Sequence, residues 1–531
     1  MNNKTRYMPL IMALCVIVGI LIGTFYANHF SGNRLNIINT GSNRLNNLLH
    51  IIDDQYVDTV NINSLVEKAI PQILAELDPH SVYISSKDAQ TASDDLKGSF
   101  FGIGIEFTIR EDTIHVQSVI DGGPAQKAGL IAGDKIISVD GKPFVGKQVT
   151  NEEAVHRLKG PDKSKVTVGI LRYGNTKPLS FEITRGEVKT KSVTATYMID
   201  EKTGYIRIKN FGENTYAEML VALAQLSSND MKNIIIDLRD NSGGYLEAAV
   251  QMANEFLPKD RLIVYTEGRK QKRKDYRSDG HGSYQNMPLV VLINEASASA
   301  SEIFAGAMQD NDRGTIIGRR SFGKGLVQQQ IAFPDGSMIR LTIARYYTPS
   351  GRCIQKPYTP GTDDYQNDLV TRYEHGEYFN QDSIKHDGPQ YKTLSGRVVY
   401  GGGGITPDIF IAEDTTNVTS YFREASMTGL ILQFAFTYTD ENRLKLNNFK
   451  EMQAMADYLV KQNTVELFAG YADKHGLKRR NLMIQRSHHL LETHINSRII
   501  YNMMNEQALI EYVNKDDRTV QAALNHFYKK K

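Results

Sequence analysis

The run NIIIDLR (233–239) is apolar at successive positions and stops at the loop Asp240-Asn241-Ser242-Gly243-Gly244. A strand with no polar face is normally buried on both sides, which requires helices packed above and below its sheet. The surrounding text agrees. A helical stretch over 245–257 follows the loop, then strands RLIVYTE (261–267) and PLVVLIN (288–294), a small-residue helix start at Ser297, and the strand TIIG (315–318). A hairpin about Pro334-Asp335-Gly336 closes the series. Strand and helix in alternation predict a layered α/β domain.

The flanking segments have other textures. Leu45, Leu48, Leu49 and Ile52, then Val66, Ile70, Ile73 and Leu77, recur at helical spacing before the stop at Asp78-Pro79. Short alternating runs (GIGIEFTI, TIHVQSVI, KIISVDG, KVTVGILRY, LSFEITRG) make 98–187 a β-rich module. One helix interrupts it at 151–159, where Thr150 and Glu153 have capping-box spacing. Residues 358–400, polar and rich in Asp, Tyr and Gly, read as an insertion or long loop in a core spanning 188–414, and 415–531 carries helical periodicity only.

Met8 to Phe25 is an uncharged apolar stretch preceded by Lys4 and Arg6. It is near the lower limit for a spanning helix, longer than the core of a cleaved signal, and no small-x-small cleavage site follows it. Residues 1–30 are therefore expected to be a signal anchor with a cytoplasmic N-terminus, leaving 31–97 as an N-terminal helical segment. The expected localisation is a single-pass cell-membrane protein with its body on the periplasmic side. A cleaved signal is the alternative.

Charge and cysteine content narrow the function. With 62 Lys+Arg against 60 Asp+Glu the chain has no basic excess for nucleic acid. Two cysteines, Cys15 and Cys353, rule out a disulfide framework. Gly318 to Lys324 matches a phosphate-binding G-x-x-x-x-G-K, but Gly325 stands where Ser or Thr would ligate magnesium, and a strand rather than a helix follows. His488, His489, Glu492 and His494 lack metal-site spacing and read as a solvated helix face, so no metal or cofactor is expected. No G-x-S-x-G elbow is present, and His80, His115 and His156 read as surface or packing residues.

A further candidate chemistry is a serine with a lysine. Ser297, Ser299 and Ser301 lie where strand PLVVLIN hands over to a helix, whose first amides are free to hold an oxyanion. Lys324 follows between Gly323 and Gly325, and Gln328 shares its strand face four residues on. A lysine serves as general base only when burial lowers its pKa from about 10.4 toward neutrality.

These segments together resemble the C-terminal processing peptidases, or tail-specific proteases. The motifs are LDPHSVYI (77–84), FGIGIEF (101–107), GPAQKAGLIAGDKIISVDG (123–141), IIDLRDNSGGYLEAA (235–249), NEASASASEIFAGAMQD (294–310), GRRSFGKGLVQ (318–328) and YYTPSGRCIQ (346–355). The resemblance covers roughly 43–357 and implies a multidomain α+β protein with a PDZ module over 98–187 and a crotonase-like protease core. It implies Ser299 as nucleophile, Lys324 as general base and Gln328 as the residue that positions it, with Ser297 and Ser301 as alternative nucleophiles. The oxyanion hole would be the amide of Ala300 with that of Gly243 or Gly244. Phe101, Gly102, Ile103 and Gly104 would form the carboxylate loop of the PDZ module, Ile105 would begin the strand that accepts a peptide, and Val155 and Leu158 would wall its pocket. The implied function is a membrane-anchored serine endopeptidase acting on protein substrates with unstructured C-terminal tails. A non-catalytic PDZ scaffold is the rival, and a homodimer through the terminal helices is compatible with the resemblance.

Overall fold

The computed structural model describes residues 13, 16–20, 40–110, 112–120, 122–147, 149–172, 174–359, 364–386 and 388–529. The chain forms two compact units, 1–76 and 77–531. In the first, helices α1 (Thr40–Gln55) and α2 (Ile62–Ala75) follow the expected periodicity, and Asn61 caps α2 by accepting the amide of Ser64. The expected anchor needs correction. Of residues 8–25 only 13 and 16–20 are among those described, so most of the expected anchor lies outside the described residues. No helix among the described residues is long and apolar enough to cross a membrane. A single-pass membrane localisation, with the body held on the periplasmic side, is therefore not supported.

The second unit opens with β1 (Val82–Ile84) and α3 (Ala89–Lys97). Strands β2 (Ser99–Gly102), β3 (Ile105–Arg110), β4 (Thr113–Val119), β5 (Lys135–Val139), β6 (Lys142–Pro143), β7 (Lys165–Leu171), β8 (Leu179–Thr184) and β9 (Gly186–Lys189) then build the β-rich module with helices α4 (Pro124–Ala128) and α5 (Asn151–Leu158). Its main sheet runs β3-β4-β5-β7-β8, with β6 on β5, while β2 pairs with β9. Val166, Val168 and Ile170 alternate inward along β7, onto Ile114, Val116, Ile136 and Phe144. Half of the expected capping box forms: Thr150 Oγ1 accepts the Glu153 amide at 3.1 Å, but the Glu153 carboxylate turns to Arg157 at 2.6 Å.

The core follows with β10 (Val193–Met198), β11 (Thr203–Ile208), α6 (Thr215–Ser227), β12 (Asn233–Asp237), α7 (Leu246–Asn254), β13 (Leu262–Glu267), β14 (Lys274–Arg277), β15 (Leu289–Ile293), α8 (Ala300–Asp310), β16 (Thr315–Gly318), β17 (Leu326–Ala332) and β18 (Met338–Tyr347). One sheet has the order β10-β11-β12-β15-β16 and ends on β21 (Ile409–Phe410); it is parallel from β11 onward. A second sheet runs β1-β18-β13-β14, with β17 also on β18. The apolar run 234–236 divides between the faces of the parallel sheet. Ile234 and Ile236 pack with α6, α7 and α8, while Ile235 points the other way beside Val290 and Leu292. Each such side chain, fully buried, contributes about 1.5–3 kcal/mol.

The segment 358–400 is ordered in its described parts, holding α9 (Asp364–Glu374) and the hairpin β19 (Gln390–Lys392) and β20 (Val398–Tyr400). Helices α10 (Ser420–Met427), α11 (Leu430–Leu446), α12 (Met452–Lys461), α13 (Thr464–Lys474), α14 (Asn481–Arg486) and α15 (His488–Met503) share a core around Phe434, Phe468 and Ile499. The last two, α16 (Glu506–Asn514) and α17 (Arg518–Lys529), bring Ile510, Val520 and Ala523 onto Ile235, Val290 and Leu292. The C-terminal helices thus supply the second covering layer that the apolar strand demanded.

Candidate active site

The buried strand β15 delivers the chain to α8 through a turn whose last residue, Ser299, has φ 56° and ψ −114°. That conformation costs a non-glycine residue of order 1–3 kcal/mol and persists only where the surroundings enforce it. They do so through its neighbours. Ser297 and Ser301 are fully buried with committed hydroxyls: Ser297 Oγ donates to Leu238 O at 2.8 Å, and Ser301 Oγ donates to Asn241 O at 2.8 Å. The Ala298 amide also donates to Asn241 O, at 3.0 Å. The turn is therefore tied to the loop after β12, and of the three serines only Ser299 keeps a partly open side chain.

Gly243 lies against this turn. A Cβ there would be 2.7 Å from Ser299 Cβ and 3.0 Å from Ala300 N, so only glycine fits. The Gly243 amide donates to Asn241 Oδ1 at 2.9 Å. The next glycine, Gly244, bridges to Phe211, and among the described residues the amides of Gly244 and Ala300 have no hydrogen-bond acceptor.

Lys324 is half-buried between β16 and β17. Its Nζ donates to Gln328 Oε1 at 3.0 Å, and Gln328 Nε2 donates to the carbonyl of His80 at 2.5 Å. Burial holds the lysine pKa below its usual value, helped by Arg340 and opposed by Glu302 and Asp78. The amine is not hydrogen-bonded to Ser299; the two residues are related through their backbones. Glu302 accepts the Ser299 amide and the Lys324 amide on Oε2, both at 2.9 Å, and Gly323 N (2.7 Å) and Ser321 Oγ (2.5 Å) on Oε1. The hydroxyl of Tyr346 donates to Ser299 O at 3.1 Å and also bonds Lys324 O. Glu302 is fully buried, and burial pushes its carboxyl up to about 7 against the pull of its donors.

Glu302, Tyr346 and His80 were not expected at this site. Glu302 had a sequence signal, since Ser299 and Glu302 have the spacing of a helix N-cap and its third residue. Tyr346 and His80 lie in the motifs YYTPSGRCIQ and LDPHSVYI, but no local pattern gave them a place here, because strand pairing and the turn before β1 bring them in from distant parts of the chain.

In the β-rich module, β3 is the end strand of its sheet and pairs only with β4 among the described residues. Gly102, Ile103 and Gly104 precede it; the carbonyl of Ile103 accepts the Ala125 amide at 2.7 Å, and that of Gly104 accepts the Ile120 amide at 3.0 Å. Ile103 and Leu158 belong to the module core, whereas Phe101 is exposed, and Ile105 and Val155 are half-buried. Among the described residues no group of three or more His, Cys, Asp or Glu side chains is arranged to hold a metal.

Comparison with known proteins makes this fold a serine-type peptidase carrying a PDZ domain. Peptidase family S41 matches residues 202–364, the PDZ domain matches 91–171, and a family of unknown function, DUF8443, matches 421–505. The carboxy-terminal-processing protease of Bartonella bacilliformis is 42% identical over 317 residues, covering 59% of this chain and 72% of that protein. A probable CtpA-like serine protease of Staphylococcus aureus (strain MRSA252) is 32% identical over 376 residues, 69% of this chain and 74% of its own. Among solved structures, the photosystem II D1 C-terminal processing protease is 30% identical, covering 61% of this chain and 93% of that one, with a TM-score of 0.35. The chain belongs to the carboxy-terminal processing proteases of peptidase family S41.

Proposed function

We propose that the protein binds the C-terminal tail of a protein substrate along β3 of the PDZ domain and cleaves the substrate with a Ser299–Lys324 dyad. The observation that carries this reading is the sharing of Glu302 and Tyr346 by the backbones of a strained, partly open serine and a half-buried lysine of lowered pKa. In the neutral amine, Gln328 Oε1 takes one N–H and the lone pair stays available. Lys324 Nζ accepts the Ser299 hydroxyl proton as Oγ bonds to the scissile carbonyl carbon. The oxyanion forms against the amides of Ala300 and Gly244, with Gly243 providing the clearance. The lysinium returns its proton to the leaving amine as the C–N bond breaks. Water then hydrolyses the acyl-enzyme by the same proton path. In the PDZ domain the tail would extend the sheet at β3, its carboxylate taken by amides of the Phe101–Gly104 loop, with Ile105, Val155 and Leu158 bounding the last side chain.

Ser299→Ala and Lys324→Ala are each expected to abolish cleavage of a substrate with an unstructured tail while leaving the circular dichroism spectrum unchanged. Wild-type cleavage by either variant would overturn the dyad. Amidating the substrate's C-terminus is expected to raise KM, and an unchanged KM would remove the carboxylate loop from the mechanism.

A further inference from the structure

The reaction as written makes no use of the segment 358–400, yet its helix α9 reaches the general base. Tyr365, the second residue of α9, is 5% exposed. Its hydroxyl lies 2.7 Å from His80 Nε2, and Gln355 Nε2 donates to it at 3.4 Å. The ring meets that of His80 edge-on at 5.1 Å and that of Phe322 at 5.8 Å. Lys356 fastens the start of the helix, donating to Tyr365 O at 3.0 Å and pairing with Asp368 at 2.9 Å.

His80 is the connection to Lys324. Its amide donates to Asp78 Oδ1 at 2.8 Å within a turn that Thr342 of β18 also holds, through Oγ1 to Asp78 Oδ1 at 3.1 Å. Its carbonyl receives Gln328 Nε2, and Gln328 receives the amine of Lys324. We propose that Tyr365 is a positioning residue for the general base: its hydroxyl fixes His80, and thereby the carbonyl that orients Gln328 toward Lys324 Nζ. The inference rests on the reading of Lys324 as the base. Burial, with Lys324 and Lys356 adding to it against Asp78, lowers the His80 pKa to about 4, so the imidazole is neutral at working pH and can accept the tyrosine proton at Nε2. The charged groups acting on Lys324 itself are Arg340, Glu302 and Asp78. A tyrosine that merely filled space would need its ring and not its hydroxyl.

Tyr365→Phe keeps the ring and removes the hydrogen bond. In the full-length protein acting on a tail peptide, it is expected to lower kcat about tenfold with KM unchanged, and to move the acidic limb of the kcat/KM profile to higher pH as water reaches a looser amine. In a Gln328→Ala background the same substitution is expected to cost less than about twofold, because the link it acts through is already gone. Wild-type kcat in Tyr365→Phe, or an undiminished loss in the Gln328→Ala background, would overturn the proposal. Lys324→Ala, assayed alongside, separates the two readings. An inactive Lys324→Ala beside a fully active Tyr365→Phe refutes the tyrosine's role alone, whereas an active Lys324→Ala refutes the base and this inference with it.

Discussion

Glu302 Oε2 accepts the backbone amide of Lys324 at 2.9 Å, across 22 residues of chain, while also receiving the amide of Ser299 at the start of its own helix. One buried carboxylate therefore sets the spacing between the Ser299 turn and the loop that carries Lys324. Glu302→Gln preserves the shape but replaces one acceptor oxygen with a donor facing donors. Leaving buried amides unpaired costs about 1–3 kcal/mol, and the site's geometry loosens with them. The expected outcome is a stability loss of that size in urea denaturation together with a fall in kcat of about 100-fold or more. Wild-type kcat in a folded Glu302→Gln protein would show that the spacing does not depend on this carboxylate.

The lowered pKa of Lys324 places the acidic limb of kcat/KM below the ordinary lysine range. Gln328→Glu would set a carboxylate where Oε1 now lies 3.0 Å from the amine. A nearby negative charge favours the ammonium and raises its pKa, by about 1–3 units for a close pair. The acidic limb should therefore move to higher pH, with activity at pH 7 falling and recovering in alkali. A pH–rate profile on a tail peptide checks the sign, and a limb that stays put or moves down would exclude Lys324 as the group being titrated.

Gly243→Ala tests the clearance beside Ser299, the proposed nucleophile. The added methyl would lie 2.7 Å from Ser299 Cβ and 2.8 Å from Ala298 O, and the glycine's φ of 103° is unfavourable for alanine. The loop and the α8 turn must separate, moving the oxyanion donors away from Ser299. Losing one such donor costs about 10²–10³ in kcat. The expected result is a loss in that range with tail-peptide binding to the PDZ domain unchanged; wild-type turnover would show that the turn has room the packing denies it.

What was legible in the sequence was whatever local pattern determines. The apolar strand 234–236 announced a sheet covered on both faces, and periodicity outlined the β-rich module and the terminal helices. The serine run and the glycine-flanked lysine stood out as a site. What no local pattern could show was which segment met which. Ile235 needed a cover, but nothing in its neighbourhood named Ile510 or Val520. His80 reads as a surface or packing residue because its contact with Gln328 is made by its backbone carbonyl, which leaves no mark on residue type. The polar composition of 358–400 suggested a loop, and Tyr365, buried against His80, is the kind of contact composition averages away. The apolar stretch at 8–25 raised an expectation of a membrane span that the described residues do not support.

His115 supplies a prediction for the contact between the PDZ domain and the C-terminal helices. It sits in β4 at 4% exposure, edge-on to Phe436 of α11 with centroids 5.5 Å apart, and its Nδ1 has no hydrogen-bond partner among the described residues. Burial, with Lys135 and Arg110 adding to it, lowers its pKa from 6.5 to about 4. Between those values the unfolded chain takes up a proton that the folded chain refuses. The stabilisation is therefore complete above about pH 6.5 and is lost as pH falls toward 4, amounting to about 2 kcal/mol lost by pH 5. His115→Phe keeps an aromatic ring against Phe436 and removes the titration. Urea denaturation at pH 7.5 and pH 5.0 should show wild type losing about 2 kcal/mol more than the variant between the two conditions. Because His80 titrates in both proteins, the difference isolates His115, and parallel losses would mean that its imidazole is protonated inside the folded contact.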